Sequence, residues 1–518
     1  MSADRILLIG LDSADLELIE AWRGEGALPV LDSLVRDGVA LRLATTAEVM
    51  HVSAWPTIYT GATPGRHGLY HAFQVRAGSR RIHRTDPAWR ALPAFWEVLD
   101  AAGVPTLVVD AFMDRPVAPD FRGIQVREYG TWTWFTEPGS HPSGLHREIV
   151  RRFGRYPAPE HLDQVTIPDL LRFRDTLVLA ARVKGEVLAW LLTEHPWRVA
   201  FVNFAEPHGG GHYLWHGGDP DYPLRPDPPL PEGVHPLRDV YRAVDAAIGR
   251  VLEAVGEETT VLVFSGDGMG PNHSGSHLVA PLLHALDLLH ASGLGGGAGD
   301  AADGPKAGLA QRLRTLIPLP VRQSLSRCLP RAVRQRLAMK WMNSGIDWSR
   351  TRAFCIPNSN EGYVRLNLAG REPEGIVGAG EEAEALLDRL AREFAGLVHP
   401  VTGRRCAHGV HRIDAVFPGD QRVHLPDLVV SFDPAARITT AVEAPTAGRI
   451  EGPAPWEVPA HYTGNHRPNA FLFARGPRVV REAAVERPHI VDIPASVLAM
   501  AGVTPPAHLE GRPLPVFR

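Results

Sequence analysis

The sequence predicts an α/β fold in which a mostly parallel central sheet is covered by helices on both faces. Short, continuous apolar runs recur along the 518-residue chain, and amphipathic segments lie between them. Continuous apolar runs are typical of strands that are buried on both faces, and their alternation with helices is typical of parallel sheets. Aspartate and histidine repeatedly occur just after the apolar runs, at the sheet edge where α/β proteins bind their ligands.

The first predicted strand spans Arg5 to Gly10 and ends in Gly-Leu-Asp, so it would deliver Asp12 at its carboxyl end. The other predicted strands are Thr106–Val109, Val199–Phe204, Thr260–Phe264, Leu428–Phe432 and Ala470–Ala474. Amphipathic periodicity predicts helices over Ala94–Ala101, Leu237–Val255 and Glu381–Ala395.

Two irregular regions interrupt this alternation within one predicted domain over residues 1–518. Residues from about 75 to 165 are rich in Arg, Trp, Pro and His, and we interpret them as an insertion over the site. Residues from about 293 to 345 begin with a Gly, Ala and Asp-rich stretch and continue as basic helical pieces. This composition predicts a flexible loop followed by a helical cap.

Composition excludes several classes of function. A formal net charge of -4, spread along the chain, gives no field that would attract nucleic acid or an anionic membrane. The three cysteines, Cys328, Cys355 and Cys406, form no CxxC pair, so neither a disulfide framework nor a thiolate metal site is predicted. No apolar run has the length of a signal peptide or membrane span, and we expect a cytoplasmic protein.

Five candidate metal ligands are expected to converge at one edge of the sheet. Each follows or precedes a predicted strand, and they are Asp12, His208, His212, Asp267 and His466. A lone aspartate after a strand is usually a cap and a lone loop histidine is usually solvated, but the set as a whole indicates a metal site. Mixed imidazole and carboxylate ligands favour zinc, with manganese as the alternative, and one or two ions.

The segment around the histidine pair suggests further contacts. Three glycines separate His208 from His212, and we expect them to let the backbone fold closely about an ion. Glu206 is a candidate for orienting a ligand imidazole, and His216 is a candidate outer contact.

A hydroxyl group precedes a short predicted helix in the segment from Ser53 to Gly68. Pro56 fits the first turn of that helix, where backbone amides have no intrahelical acceptor. Ser53 is therefore either the helix cap or a nucleophile, and the helix end favours a phosphate or sulfate oxygen.

These residues resemble the type I phosphodiesterase and nucleotide pyrophosphatase branch of the alkaline-phosphatase superfamily. The segment from Ala54 to Gly61, with Pro64 to Gly68, is similar to the nucleophile segment of that family. The other similar motifs are Ile9-Gly10-Leu11-Asp12, Ser265-Gly266-Asp267-Gly268-Met269-Gly270, His466-Arg467-Pro468 and the tail from Ile490 to Leu514. The resemblance implies an alkaline-phosphatase-like fold and two metal ions beside a Ser or Thr nucleophile.

The chain departs from the family pattern at three places. His208 stands where the family has Asp, and Gly266-Asp267 stand where it has Asp-His, so the resemblance implies a three-histidine first site and an incomplete second one. Ungapped comparison places His51 at the nucleophile position, two residues before Ser53. The resemblance also suggests Thr57, Asn360 and Arg365 as candidate substrate or outer contacts.

The leading hypothesis is a metal-dependent hydrolase of small-molecule phosphate esters or diesters, in which Ser53 forms a covalent intermediate. One alternative is a phosphoryl or sulfuryl transferase whose acceptor pocket contains Trp132, Trp134 and Phe135. The other is an inactive relative that keeps the metal site for a regulatory role. Sulfate and phosphonate esters stay open as substrates, and the oligomeric state is not predicted.

Overall fold

The fold is described from a computed structural model, which covers residues 5–130, 137–158, 166–217, 234–292, 331–455 and 462–518. The chain divides into two compact units. The first comprises Met1–Tyr70, Asp86–Asn272 and Pro459–Arg518, and the second comprises His71–Thr85 and His273–Val458. Both units are therefore built from segments that are distant in sequence.

The strands, in chain order, are β1 (Arg5–Leu11), β2 (Val39–Leu43), β3 (Phe73–Val75), β4 (Ile82–Arg84), β5 (Thr106–Val109), β6 (Ile124–Arg127), β7 (Gly139–His141), β8 (Val199–Phe204), β9 (Thr259–Ser265), β10 (Gly268–Pro271), β11 (Ala353–Ile356), β12 (Gly362–Leu366), β13 (Ala407–Arg412), β14 (Leu428–Phe432), β15 (Ala441–Ala444), β16 (Gly448–Glu451), β17 (Gly464–Arg467) and β18 (Ala470–Arg475). The helices are α1 (Leu16–Gly24), α2 (Pro29–Arg36), α3 (Ala54–Thr60), α4 (Pro64–His67), α5 (Phe95–Ala101), α6 (Leu145–Phe153), α7 (Ile167–Glu194), α8 (Glu206–Leu214), α9 (Pro236–Val255), α10 (Val279–Ala285), α11 (Arg331–Met342), α12 (Glu381–Ala395), α13 (Ile413–Val416) and α14 (Asp492–Met500).

The first unit contains an eight-stranded sheet in the order β2-β18-β9-β1-β8-β5-β6-β7. The five strands from β9 to β6 are parallel, and antiparallel pairs occur only where β18 and β7 join them and where β2 joins β18. The predicted mostly parallel sheet is thus confirmed. β1 lies at its centre, and all but the first of its residues are buried.

Helices cover both faces of this sheet, as predicted. On one face Ala200 and Val202 of β8 belong to the same buried core as residues of α7 and α9. On the other face Phe201 contacts the rings of Trp55 and Tyr59 from α3. Residues of one strand alternate between faces, so β8 is held by a helical layer on either side. None of the described helices is both long and apolar enough to cross a membrane.

The second unit contains a four-stranded antiparallel sheet in the order β11-β12-β14-β13, with two hairpins, β3-β4 and β15-β16. Leu428–Phe432 was predicted for the central sheet, and this assignment is wrong because the segment forms β14 of the smaller sheet. An apolar run predicts a buried strand but does not encode which strand it pairs with.

The two predicted irregular regions have different outcomes. Residues 75–165 are not one insertion, because they supply β5, β6 and β7 to the main sheet and β4 to a hairpin of the second unit. Within the predicted loop and cap, residues 293–330 lie outside the described part of the chain, and the helix α11 follows them.

Candidate metal centre

The carboxyl ends of three neighbouring strands meet at one edge of the main sheet. β1 ends at Leu11 and is followed by Asp12, whose amide still donates to the carbonyl of Phe204 at the end of β8. β8 leads into α8, and β9 leads through Gly266 to Asp267. The parallel arrangement therefore brings three of the predicted motifs together, as the sequence indicated.

His208 and His212 lie on one face of α8 because they are four residues apart. Their Nε2 atoms are 2.9 Å apart. The intervening glycines were expected to let the backbone fold closely about an ion, but these residues are helical. A Cβ on Gly211 would lie 2.7 Å from Cγ of Met269, so this glycine permits close packing of the helix.

His466 completes the cluster from another part of the chain. It lies on β17, where it faces Met269 of β10 across an antiparallel pair. One ring nitrogen of each of His208, His212 and His466 lies within 4.8 Å of the others, and all three residues are buried. Among the described residues these three histidines are the group that could hold a metal ion.

The outer nitrogen of each ring faces an oxygen acceptor. His212 Nδ1 is 2.9 Å from the carbonyl oxygen of Gly464, and His466 Nδ1 is 2.7 Å from Oδ2 of Asp267. His208 Nδ1 lies 3.1 Å from Oδ2 of Asp12, within hydrogen-bonding distance although in a less favourable direction. Because these oxygens accept, Nδ1 is the donor in His212 and in His466, which leaves the lone pair of each of these rings, when neutral, on Nε2.

This arrangement fits a metal ion. Three imidazoles are a ligand set that catalytic zinc uses, and outer acceptors such as those of His212 and His466 fix the ring and its tautomer. Two Nε2 lone pairs that face each other at 2.9 Å repel unless a cation or a proton lies between them. Burial, reinforced by the neighbouring His51, His212 and His208, holds the pKa of His466 well below its usual value, which favours the neutral form that binds metal.

The two predicted aspartate ligands are near the cluster but contact its outer side. Asp12 meets His208, and Asp267 meets His466, in both cases through Nδ1. The structure therefore assembles three of the five predicted ligands into one group, with the two carboxylates behind the imidazole rings.

Ser53 does not present its hydroxyl to this cluster. The side chain is fully buried, and its Oγ lies 2.6 Å from the carbonyl oxygen of Met50 and 2.8 Å from Oγ1 of Thr46. Ser53 also makes no side-chain cap to α3. Both predicted roles of Ser53, nucleophile and helix cap, disagree with these contacts.

His51 occupies the position next to the cluster instead. It begins a 3-10 helix, His51–Ser53, and its ring stacks on His466 with the centroids 4.1 Å apart. This stacking places His51 beside the candidate metal ligands. The ungapped sequence comparison alone could not establish that position.

Three contacts of the site were not predicted from the sequence. Trp55 Nε1 donates to Oδ1 of Asp12 at 2.8 Å. The ring of Tyr462 stacks on His212 with the centroids 3.8 Å apart. Ser13 lies between the two carboxylates in a left-handed conformation with a φ of 52°. Apolar runs and spacing do not signal such contacts, because they form only when distant segments pack together.

Thr57 and His216, two other candidate residues of the first unit, contact side chains outside the three-histidine cluster. Thr57 Oγ1 is 3.1 Å from Nε2 of His67, and His216 Nδ1 is 2.9 Å from the hydroxyl of Thr463. Burial lowers the pKa of His216 to about 4. These contacts leave Thr57 and His216 as parts of the surrounding structure.

Glu206 was expected to orient a ligand imidazole, and its contacts differ from this expectation. The Tyr156 hydroxyl donates to Oε1 of Glu206 at 2.8 Å. Burial raises the pKa of Glu206, and the nearby Lys184 opposes this effect. Glu206 therefore belongs to a buried network beside α8.

Two candidate contacts, Asn360 and Arg365, are in the second unit. Arg365 is fully buried and pairs with Glu372 at 2.8 Å, and its guanidinium also donates to backbone carbonyls. Asn360 Nδ2 donates to Oε1 of Glu361 at 3.1 Å. The predicted anion contact through Arg365 disagrees with its position inside this ion pair.

Comparison with solved structures supports the fold. Phosphonoacetate hydrolase from Sinorhizobium meliloti, in complex with phosphonoformate, is similar over 95% of this chain and 94% of that chain, with 13% identity and a TM-score of 0.51. The match to murine ectonucleotide pyrophosphatase/phosphodiesterase 5 covers 98% of this chain and 97% of that chain, with 13% identity and a TM-score of 0.47. No curated protein matches the sequence.

The sequence itself matches a known family over most of its length. The family model described as type I phosphodiesterase / nucleotide pyrophosphatase matches residues 6–452, a range that includes the first strand, the segment around His51 and the helix α8. The motifs singled out in the sequence pointed to the same family. The chain therefore belongs to the type I phosphodiesterase / nucleotide pyrophosphatase family.

Proposed function

We propose that this protein is a metal-dependent hydrolase of phosphate esters, of the phosphodiesterase or pyrophosphatase type. Family membership supports phosphoester hydrolysis as the class of reaction. The observation that supports metal dependence is the buried cluster of His208, His212 and His466, each with its outer nitrogen facing an oxygen acceptor. This donor set favours zinc, with manganese as the alternative.

The chain's own residues would prepare the site in three ways. His208, His212 and His466 would hold an ion that, when bound, polarises a phosphoryl oxygen and lowers the pKa of water towards about 7. The carbonyl of Gly464 holds the ring of His212 in its metal-binding tautomer. His51, stacked on His466, is the side chain we propose to contact the phosphoryl group.

The proposed substrate is a small-molecule phosphate ester or diester. Transfer to an alcohol instead of water is the alternative predicted from the sequence, but its acceptor residues Trp132, Trp134 and Phe135 lie outside the described residues. A cytoplasmic location stays a prediction from the sequence.

Hydrolysis of p-nitrophenyl phosphate and bis-p-nitrophenyl phosphate by the zinc-loaded and manganese-loaded protein tests this proposal. We expect turnover of at least one substrate, loss of turnover in His212→Ala, and a measurable remaining fraction in His216→Ala, because His216 contacts Thr463 and is not one of the three clustered histidines. A metal-loaded protein that is inert towards both substrates and a panel of nucleotide diesters would contradict the proposal.

A further inference from the structure

We propose that the site holds a single metal ion, and that Asp12 and Asp267 are positioning residues for the ligand histidines and not ligands of a second ion. The inference rests on the proposed function, because it assumes that the three histidines bind metal. It departs from the two-ion arrangement that the family resemblance implies. The contacts of the two carboxylates and of Ser13 support it.

Each oxygen of the Asp12 carboxylate lies close to a nitrogen of another side chain. Oδ1 accepts a hydrogen bond from Trp55 Nε1 at 2.8 Å, and Oδ2 lies 3.1 Å from Nδ1 of His208. Ligation of a second ion by Asp12 would compete with these buried contacts. A buried indole N–H that lost its acceptor would be left unsatisfied, which is unfavourable.

Asp267 contacts the other side of the cluster through Oδ2. Its Oδ2 lies 2.7 Å from Nδ1 of His466, the short distance expected when a carboxylate accepts from a ligand imidazole. Carboxylate, imidazole and metal in a row is a common arrangement in zinc sites, where the carboxylate orients the ring and increases its basicity.

Ser13 joins the two carboxylates with a protein hydroxyl. Its Oγ lies 3.4 Å from Oδ1 of Asp12, 3.3 Å from Oδ2 of Asp267 and 3.3 Å from Nδ1 of His466. The residue is 1% exposed and has a φ of 52°, a conformation that is unfavourable for a non-glycine residue. The space between the carboxylates, where a bridging ion would bind, therefore contains the Ser13 hydroxyl.

Charge balance favours the same arrangement. One divalent ion adds two positive charges, and the side chains of Asp12 and Asp267 supply two formal negative charges. A second divalent ion would leave two uncompensated positive charges among buried residues, which is unfavourable in a medium of low polarity.

The test is the metal stoichiometry of the full chain, measured by mass spectrometry of the metal content and by titration of the metal-free protein with Co²⁺. We expect both to end at one ion per chain. Two ions per chain would overturn this inference and leave the proposed function standing. A chain that binds no ion would overturn the proposed function and this inference together.

Asp12→Asn and Asp267→Asn variants test the positioning role. We expect each to keep a capacity of one ion, to bind it about 10 to 100-fold more weakly, and to shift the visible spectrum of bound Co²⁺. His212→Ala is the matched control for a true ligand and should lose the ion. A wild-type affinity in both Asn variants would overturn the positioning role, and the wild-type stoichiometry decides the number of ions even if a variant fails to fold.

Discussion

Substitution of Gly464 by alanine should damage the metal centre without changing any proposed ligand. A Cβ built on Gly464 lies 2.0 Å from the carbonyl oxygen of Gly211 in α8. An ordinary carbon–oxygen contact is about 3.3 Å, so β17 and α8 must move apart by about 1 Å. That movement acts directly on His212, whose carbonyl accepts from the amide of Thr463 at 2.8 Å and whose ring donates to the carbonyl of Gly464 at 2.9 Å.

The expected magnitude follows from these contacts. Two hydrogen bonds stretched by about 1 Å are lost, at about 1 kcal/mol each, and residual crowding adds about 1 to 3 kcal/mol. The free energy of unfolding should therefore fall by about 3 to 5 kcal/mol. Loss of the outer partner of His212 should also weaken metal binding by about 10 to 100-fold.

Gly209→Ala is the matched control and lies on α8, the helix that a Cβ on Gly464 would crowd. Its Cβ would lie 3.6 Å from Phe173 and 3.7 Å from Leu177, which are ordinary contacts. Alanine is favoured over glycine in a helix by up to about 1 kcal/mol, so this variant should be slightly more stable and bind metal normally.

The assay combines thermal unfolding of the metal-free proteins with competition for zinc by a chromophoric chelator. Gly464→Ala should lose both stability and affinity, whereas Gly209→Ala should lose neither. A Gly464→Ala protein with wild-type melting temperature and zinc affinity would refute the argument that close approach of β17 and α8 positions His212.

Acid should destabilise the protein through His67, because burial lowers the pKa of His67 to about 3 from 6.5. The stability that neutral His67 contributes is complete above pH 6.5 and is lost as the pH falls towards 3, up to about 5 kcal/mol. The melting temperature of His67→Asn should therefore depend less on pH between 7 and 5 than that of the wild type, and an equal slope would be evidence against this. Trp55→Phe keeps an aromatic ring but removes the N–H donor to Asp12, so zinc binding measured by calorimetry should be several-fold weaker. Unchanged zinc affinity in this variant would contradict the expectation. Ser53→Ala should retain most of the turnover of an aryl phosphodiester, whereas the turnover of His51→Ala should fall by at least about 100-fold. A loss of that size in Ser53→Ala, with turnover near wild type in His51→Ala, would instead support Ser53 as the nucleophile.

The sequence was most informative about strands that are buried on both faces. Thr106–Val109 and Val199–Phe204 were predicted with the bounds that the structure shows, because a short, continuous apolar run is typical of a strand that helices cover on both sides. Leu428–Phe432 was also a strand, but its sheet was wrong. Hydrophobicity reports burial, whereas strand partners depend on the path of the rest of the chain.

The sequence predicted which residues come together at the site better than it predicted how they are arranged there. His208, His212 and His466 were expected to converge and do so. The glycines between the first two were expected to let the backbone fold closely about an ion, although the i to i+4 spacing is equally compatible with the helix that forms. The contacts of Asp12 and Ser53 could not be predicted, because each depends on a hydrogen-bond partner that tertiary packing supplies.

X-ray absorption at the zinc edge of the zinc-loaded protein tests the central claim most directly, namely that His208, His212 and His466 ligate the ion. The account predicts scattering from three imidazole rings at about 2.0 to 2.1 Å and the loss of one ring or of the zinc itself in His466→Ala. A spectrum with at most one imidazole, or one that is identical in wild type and His466→Ala, would contradict it.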